Sequence, residues 1–282
     1  MTQGDANLHP LARAARNPPP GWQPQGIDVS VPSIARVYDA ILGGKDNFPV
    51  DRAVAEELVA FVPDGREAAI YNRALLGRGV RYLAEQGIRQ FIDLGSGLPT
   101  ANNTHQVAQR IVPDARVVYV DNDPIVLAHG RALLAENRYT TVITADVRQP
   151  EEILNHPDLR SLIDFDQPVA LLMLGIIHHL NDDENPNGLV ARYRNAVASG
   201  SYLFLTHFVD HGAETADLQK AILTDLGSGR FRTLEEITAY FGGLELVEPG
   251  VVHIPLWRPD GPLPETLRLT EKMIGGGIGR KP

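Results

Sequence analysis

One run of ten residues constrains this chain more than any other: Phe91-Ile92-Asp93-Leu94-Gly95-Ser96-Gly97-Leu98-Pro99-Thr100. Its apolar residues read as a short buried strand that enters a glycine turn. The helical pattern of Val107, Ala108 and Ile111 follows. Glycine permits a backbone path that a Cβ would block, so a ligand can lie against the main chain there. Twenty-eight residues after Asp93, a second strand, Val117-Val118-Tyr119-Val120, ends in Asp121. A carboxylate at that place can accept hydrogen bonds from both hydroxyls of a ribose. Together the two features point to an adenosine-type ligand at the first crossover of an α/β sheet.

The spacing also narrows the ligand. A dinucleotide fingerprint is G-x-G-x-x-G/A, and here Thr100 stands in the third place. Pyrophosphate gains little beside a carboxylate such as Asp93, because like charges repel. S-adenosylmethionine carries a sulfonium and an ammonium and no phosphate, so it suits this turn better than NAD. An NAD-dependent oxidoreductase remains the alternative that shares the turn and the ribose acid. A non-catalytic S-adenosylmethionine-binding protein would use the same binding residues.

At 282 residues the chain is long enough to bury a large core. It has no cysteine, which excludes disulfides, thiolate catalysis and cysteine-ligated metal and fits a cytoplasmic protein. The net charge of −9 gives no general attraction to nucleic acid or anionic lipid. The longest wholly apolar run, Val169 to Ile177, is too short to span a bilayer. The acceptor expected by default is therefore a small molecule, with neither nucleic acid nor membrane as partner. Residues 1–26 read as a flexible tail, and Gly275-Gly276-Gly277 suggests a second loose segment, so 261–282 is expected to be a C-terminal tail.

Residues 27–87 read as helical. Ser33 can cap a helix carrying Ile34, Val37, Tyr38, Ile41 and Leu42 at the 3.6 period, ended by Gly43-Gly44. Val54, Leu58 and Phe61 mark a second helix, stopped at Pro63; Leu76, Val80 and Leu83 mark a third, closing at Gly87. From residue 88 strands alternate with helices, which argues a parallel sheet covered on both faces. The candidate strands are Gln90–Leu94, Arg116–Val120, Thr141–Thr144, Val169–Leu174 and Ser201–Thr206. Thr233-Leu234-Glu235-Glu236 reads as a capping box. Two further strands, Leu244–Val247 and Val251–Leu256, are separated only by Glu248, Pro249 and Gly250, a link that predicts an antiparallel hairpin.

With these residues in view, the chain resembles class I S-adenosylmethionine-dependent methyltransferases. More narrowly, it resembles an actinobacterial S-adenosyl methyltransferase family long known as a domain of unknown function. Three runs carry the likeness: Ser33 to Asp39 continuing to Leu42-Gly43-Gly44-Lys45-Asp46-Asn47, Gln90 to Thr100, and Val118 to Pro124. The resemblance implies an α/β fold: a Rossmann-like, seven-stranded, mostly parallel sheet with a C-terminal antiparallel hairpin and an N-terminal helical lid. The lid would be residues 27–87 and the S-adenosylmethionine-binding domain residues 88–260. It further implies that Asp93, Gly95 and Gly97 hold the methionine half of the cofactor, Asp121 the ribose, and Asn122 the border of the adenine. Asp146 would accept from the adenine amino group, and the Val147 backbone would meet a ring nitrogen. Tyr38 from the lid and Arg73 would reach the methionine carboxylate. Two departures stand out: Pro99 occupies a place where many relatives carry a third glycine, and no Asn/Asp-Pro-Pro-aromatic signature follows the fourth strand.

The resemblance further implies that His178 and His179, after the fourth strand, would face the reacting methyl, which makes them the candidate catalytic bases; an ordinary imidazole pKa near 6.5 suits that role. His207 lies on the same edge. Adjacent residues on an extended strand point to opposite faces, so His178 and His179 would make a poor chelate there and no metal site is expected.

Overall fold

The structure, a computed structural model, describes residues 28–62, 64–99, 102–134, 137–262 and 265–282. The expected N-terminal tail, Pro63 and Thr100 lie outside the described residues. Three helices come first: α1 (Ile34–Ile41), α2 (Pro49–Ala60) and α3 (Arg66–Glu85). Then follow β1 (Gln90–Leu94), α4 (Thr104–Ile111), β2 (Arg116–Asp121), α5 (Pro124–Leu134), β3 (Thr140–Thr144), α6 (Pro150–Leu154), α7 (Pro157–Leu162), β4 (Ala170–Leu174), α8 (Pro186–Ala196) and β5 (Tyr202–Phe208). The last elements are α9 (Ala216–Leu226), α10 (Leu234–Ala239), β6 (Glu245–Leu246), β7 (Val252–His253), α11 (Leu269–Lys272) and β8 (Ile274–Arg280).

Alternation along the strands builds two cores. Phe91, Val117, Ala170 and Phe204 face one way and pack with Leu75, Val80 and Leu83 of α3 and with Leu218 and Ile222 of α9. Ile92, Val118, Leu171 and Leu203 face the other way and pack with Ile153, Leu159, Tyr193 and Ile237. The central strands β1, β4 and β5 are buried on both faces, as a parallel sheet covered by helices requires. The third helix of the N-terminal segment is therefore a layer of the sheet domain, because it is packed against β4, β5 and β8. The Ser33 cap and the Thr233 capping box form as expected; the Glu236 N–H donates to Thr233 Oγ1 at 3.2 Å and the Thr233 N–H to Glu236 Oε2 at 2.7 Å.

The sheet runs β3-β2-β1-β4-β5-β8-β6, with β7 also on β8. β1 to β5 are parallel, whereas β8 is antiparallel to β5, β6 and β7. The sheet is thus mostly parallel with antiparallel C-terminal strands, and two sequence expectations are corrected. The described residues form eight strands, not seven. The strands at 245–246 and 252–253 do not form a hairpin with each other; both pair with β8. That eighth strand occupies the expected loose tail. An added Cβ at Gly276 would stand 2.4 Å from the Leu205 carbonyl oxygen, and one at Gly277 would stand 2.7 Å from the Gly250 carbonyl oxygen. The glycines serve close backbone packing rather than looseness. Lys281 continues the anchorage, its Nζ donating to the carbonyls of Arg194 and Val197 at the end of α8 at 3.0 and 2.7 Å. Among the described residues no helix is long and apolar enough to cross a membrane.

Candidate functional site

Strand order reverses between β1 and β4, and in open α/β sheets ligands bind at the carboxyl ends of the strands flanking such a point. A cleft of about 570 Å³ opens there, in the range of small-molecule sites. All eleven residues singled out from the sequence line it: Tyr38, Arg73, Asp93, Gly95, Gly97, Asp121, Asn122, Asp146, Val147, His178 and His179.

The floor is made by turns that follow successive strands. Gly95 and Gly97 both hold left-handed φ values, +72° and +64°. A Cβ on Gly95 would collide with Ile176, whereas one on Gly97 would project into open space within the cleft. The Gly97 N–H donates to Asp121 Oδ2 at 2.8 Å, and the Asp123 N–H to Asp121 Oδ1 at 3.0 Å. Each carboxylate oxygen accepts more than one hydrogen bond, so Asp121 keeps acceptor capacity toward the cleft. Burial holds the Asp121 carboxyl above its ordinary pKa.

Asp93 is buried on the side of the sheet where α3 and α4 pack. Thr104, in the first turn of α4, donates to its Oδ2 at 2.7 Å, and Arg73 of α3 supplies a favourable positive field. Desolvation nevertheless dominates and pushes its carboxyl from 3.8 up to about 6. Asp146 accepts the Arg148 N–H at 2.9 Å, and Arg148 also pairs with Glu184. The Val147 carbonyl accepts from the buried Tyr193 hydroxyl at 2.8 Å. Tyr38 points to the cleft wall, but its hydroxyl donates to the Ala69 carbonyl at 3.2 Å. The donor that a carboxylate would need is committed there, which leaves Arg73 as the cation of that corner.

The roof is α1 and the turn after it, and it is tied by buried charge. Arg36 and Asp51, 3% and 0% exposed, stand 3.4 Å apart. Asp51 also accepts the N–H groups of Ser33 and Phe48 at 3.0 and 2.8 Å, and Asp39 accepts the Asp46 N–H and the Asn47 amide at 2.9 and 2.7 Å. The roof also reaches the floor. The Ser33 hydroxyl donates to Asp123, and Ala35 packs with Leu98, Ile125 and Val126. Asp123 also caps α5 through the Ile125 N–H at 3.0 Å.

The histidines differ from the sequence expectation in geometry and in charge. His178 and His179 lie on a 3-10 turn, Ile177–His179, not on a strand, and their rings are 4.3 Å apart. His178 also contacts Phe208 at 4.3 Å and His207 at 5.6 Å between ring centres. His207 is wholly buried behind it and does not line the cleft. Burial pushes His179 down to about 4, His207 to about 3, and His178 well below its ordinary value. All three are neutral at pH 7, so the ordinary imidazole pKa expected of a base does not hold here. Among the described residues no group of three or more side chains of metal-ligating type is placed to hold an ion.

Sequence reading missed Asn72, Ser96 and Phe208. Asn72 donates to the Tyr38 hydroxyl at 3.5 Å and accepts from Thr206 at 3.0 Å, joining α1, α3 and β5 at the cleft. The Ser96 hydroxyl is buried at the floor without a hydrogen-bond partner among the described residues. The one signal available for Ser96 was its place between the two glycines. For Phe208 it was its place beside His207.

A family model described as S-adenosyl methyltransferase matches residues 20–282. A solved structure from Thermobifida fusca, described as a candidate methyltransferase, is 56% identical, with 93% of this chain and 99% of that one covered and a TM-score of 0.89. A DUF574 family protein from Streptomyces avermitilis is 38% identical, with 90% and 99% covered and a TM-score of 0.86. No curated protein matches the chain.

Proposed function

The chain belongs to the S-adenosyl methyltransferase family, and on that premise we propose that it methylates a small-molecule acceptor admitted beneath α1 and α2 at the carboxyl edge of the sheet. The observation that carries the reading is the convergence of Gly97, Asp121 and Asp93 on one cleft at the reversal of strand order. S-adenosylmethionine supplies an electrophilic methyl whose bonding pair stays on sulfur when an acceptor's lone pair displaces it.

The residues present fit that cofactor. Open space beyond Gly97 lets a nucleoside lie on the main chain, and Asp121 can accept from both ribose hydroxyls. Asn122 and Asp146 border the adenine, and the Val147 N–H makes no hydrogen bond within the described residues, which suits a ring nitrogen. Asp93 attracts the ammonium and sulfonium, while Arg73 takes the carboxylate. A pyrophosphate in place of the methionine half would meet Asp93 as a like charge. The protein's contribution to rate is alignment and exclusion of water under α1. Neutral His178 or His179 can orient a protonated acceptor by hydrogen bonding, and a nucleophile that arrives without its proton needs no base.

Calorimetry with S-adenosylmethionine and with NADH tests the cofactor; binding of NADH alone would sink the reading. Release of S-adenosylhomocysteine only in the presence of an acceptor separates an enzyme from a non-catalytic binder.

Two results are expected beside these. Gly97→Ala and Gly87→Ala both place an L side chain at positive φ with open space around it, at a cost of roughly 1–2 kcal/mol of stability each. Only Gly97→Ala is expected to weaken cofactor binding as well, by about tenfold or more, since its methyl enters the cleft; equal affinities in calorimetry would refute it.

The second result concerns pH. A carboxyl raised from 3.8 to about 6 contributes stability that is fully present below the lower value and is lost as pH rises through the upper one. Only the ionised form attracts the cofactor's cations. Affinity is therefore expected to rise between about pH 5 and about pH 7, and Asp93→Asn to flatten that rise. Arg73, Thr104 and Asp121 also act on this group, so the variant makes the assignment. A titration in which Asp93→Asn keeps the wild-type slope would exclude Asp93.

A further inference from the structure

The cleft is divided electrically along the strand order. Every carboxylate and guanidinium on its wall belongs to the N-terminal segment, to α3, to the ends of β1 and β2, or to the turns after β2 and β3. The opposite half lies over β4, β5 and β8. Its wall includes Leu58 of α2, Leu174, Phe208, Ile222 and Leu226 of α9, and Ile274. Phe208 and Ile274 are register partners across β5 and β8, and Phe208 stacks on Phe231 with centroids 4.8 Å apart. The polar side chains of this half are uncharged: Asn72, which is bound to Tyr38 and Thr206, and the neutral His178 and His179, and the Nδ1 of His178 has no partner among the described residues. The arginines beside the histidines are spent elsewhere. Arg148 is held by Asp146, Glu184 and the His179 carbonyl, and Arg230 and Arg232 are both held by Asp182.

A charged group brought into such a half would lose its hydration and gain no counter-charge, which costs far more than burying an apolar surface returns. An aromatic or alicyclic body would instead be buried against aliphatic side chains and the Phe208 ring. Resting on the cofactor reading above, we propose that the acceptor is an uncharged, largely apolar small molecule, bound over β4, β5 and β8 between α2 and α9, whose single nucleophilic hydroxyl or ring nitrogen meets the His178 imidazole. Phosphorylated metabolites, amino-acid side-chain ammonium groups and nucleic acid are excluded by the same wall.

The test uses the full chain saturated with S-adenosylhomocysteine and three probes of one shape: 2-naphthol, naphthalene-2-sulfonate and 2-naphthylmethylamine, titrated by calorimetry at pH 7. The naphthol is expected to bind and both ions to bind at least about 100-fold more weakly. Binding of either ion as tightly as the naphthol, or of none of the three, would overturn the proposal. Leu226, at the end of α9, is partly exposed and packs against the edge of the core, so a long side chain can be placed there with its head toward the cleft. L226K is expected to weaken naphthol at least about tenfold and to admit the sulfonate, with S-adenosylhomocysteine binding measured alongside as the check on folding. An L226K protein that treats the probes as wild type does would also overturn it. If wild type fails to bind S-adenosylhomocysteine, the cofactor reading falls, while the same titrations on the free protein still decide the polarity of this half.

Discussion

Asp121→Ala is expected to weaken S-adenosylhomocysteine binding by at least about 100-fold without unfolding the protein. Two hydrogen bonds from ribose hydroxyls to a carboxylate are lost, each worth about 1.5–3 kcal/mol, and every 1.4 kcal/mol is about tenfold. The variant also leaves the Gly97 and Asp123 N–H groups without their acceptor, so the glycine turn loosens at the place where the nucleoside would lie. Asp121→Asn separates these effects. It keeps an oxygen for one of the two N–H groups and removes the charge, so it should fall between wild type and alanine. Calorimetry gives the affinities and circular dichroism the fold. Wild-type affinity in Asp121→Ala would remove the ribose from this position and with it the orientation of the whole ligand.

The largest effect on stability is expected at the roof. Asp51→Ala leaves the Arg36 guanidinium buried with the backbone carbonyls of Asp28 and Val31 and the Phe48 ring for partners but no counter-charge. It also takes the acceptor from the Ser33 and Phe48 N–H groups. Breaking a buried ion pair from one side costs about 3–5 kcal/mol. Because α1 and α2 hold little of the sheet core, the loss should appear first as local opening. Amide exchange in residues 28–60 should accelerate well before β1 to β5 are affected. Replacing Arg36 by methionine as well should recover much of the loss, since the uncompensated charge goes with it. Uniform acceleration across the chain would show that the roof is part of the global folding unit instead. Cofactor affinity should fall in the same variant, because Ser33 ties the roof to the Asp123 loop.

The run from Ser33 to Asn47 has a structural account in these contacts. Ser33 caps α1 and reaches Asp123, Arg36 pairs inside, Asp39 gathers the following turn, and Tyr38 closes against α3. This run, one of the three that carried the family resemblance, thus builds the roof and fastens it to the floor.

The chain's own order of residues determined the parallel strands, their helices, and the turns that line the cleft. The β1 turn could be read because glycine spacing, strand apolarity and Asp121 act within one crossover, where sequence neighbours are also spatial neighbours. The Ser33 and Thr233 caps were legible for the same reason. What only the tertiary structure decided is everything that depends on a distant partner. Gly275-Gly276-Gly277 looks like a linker until Leu205 and Gly250 press against its backbone and make the missing Cβ a requirement. The strands after residue 244 pair with β8 rather than with each other, because β8 fills the place beside β5. His178 and His179 lose their ordinary basicity to burial, a property of the wall around them and not of their type. The apolar half of the cleft is likewise assembled from five separated segments whose shared face arises only when the sheet closes. Local chemistry is written in sequence spacing, whereas desolvation and strand partnership are set by which distant surfaces meet.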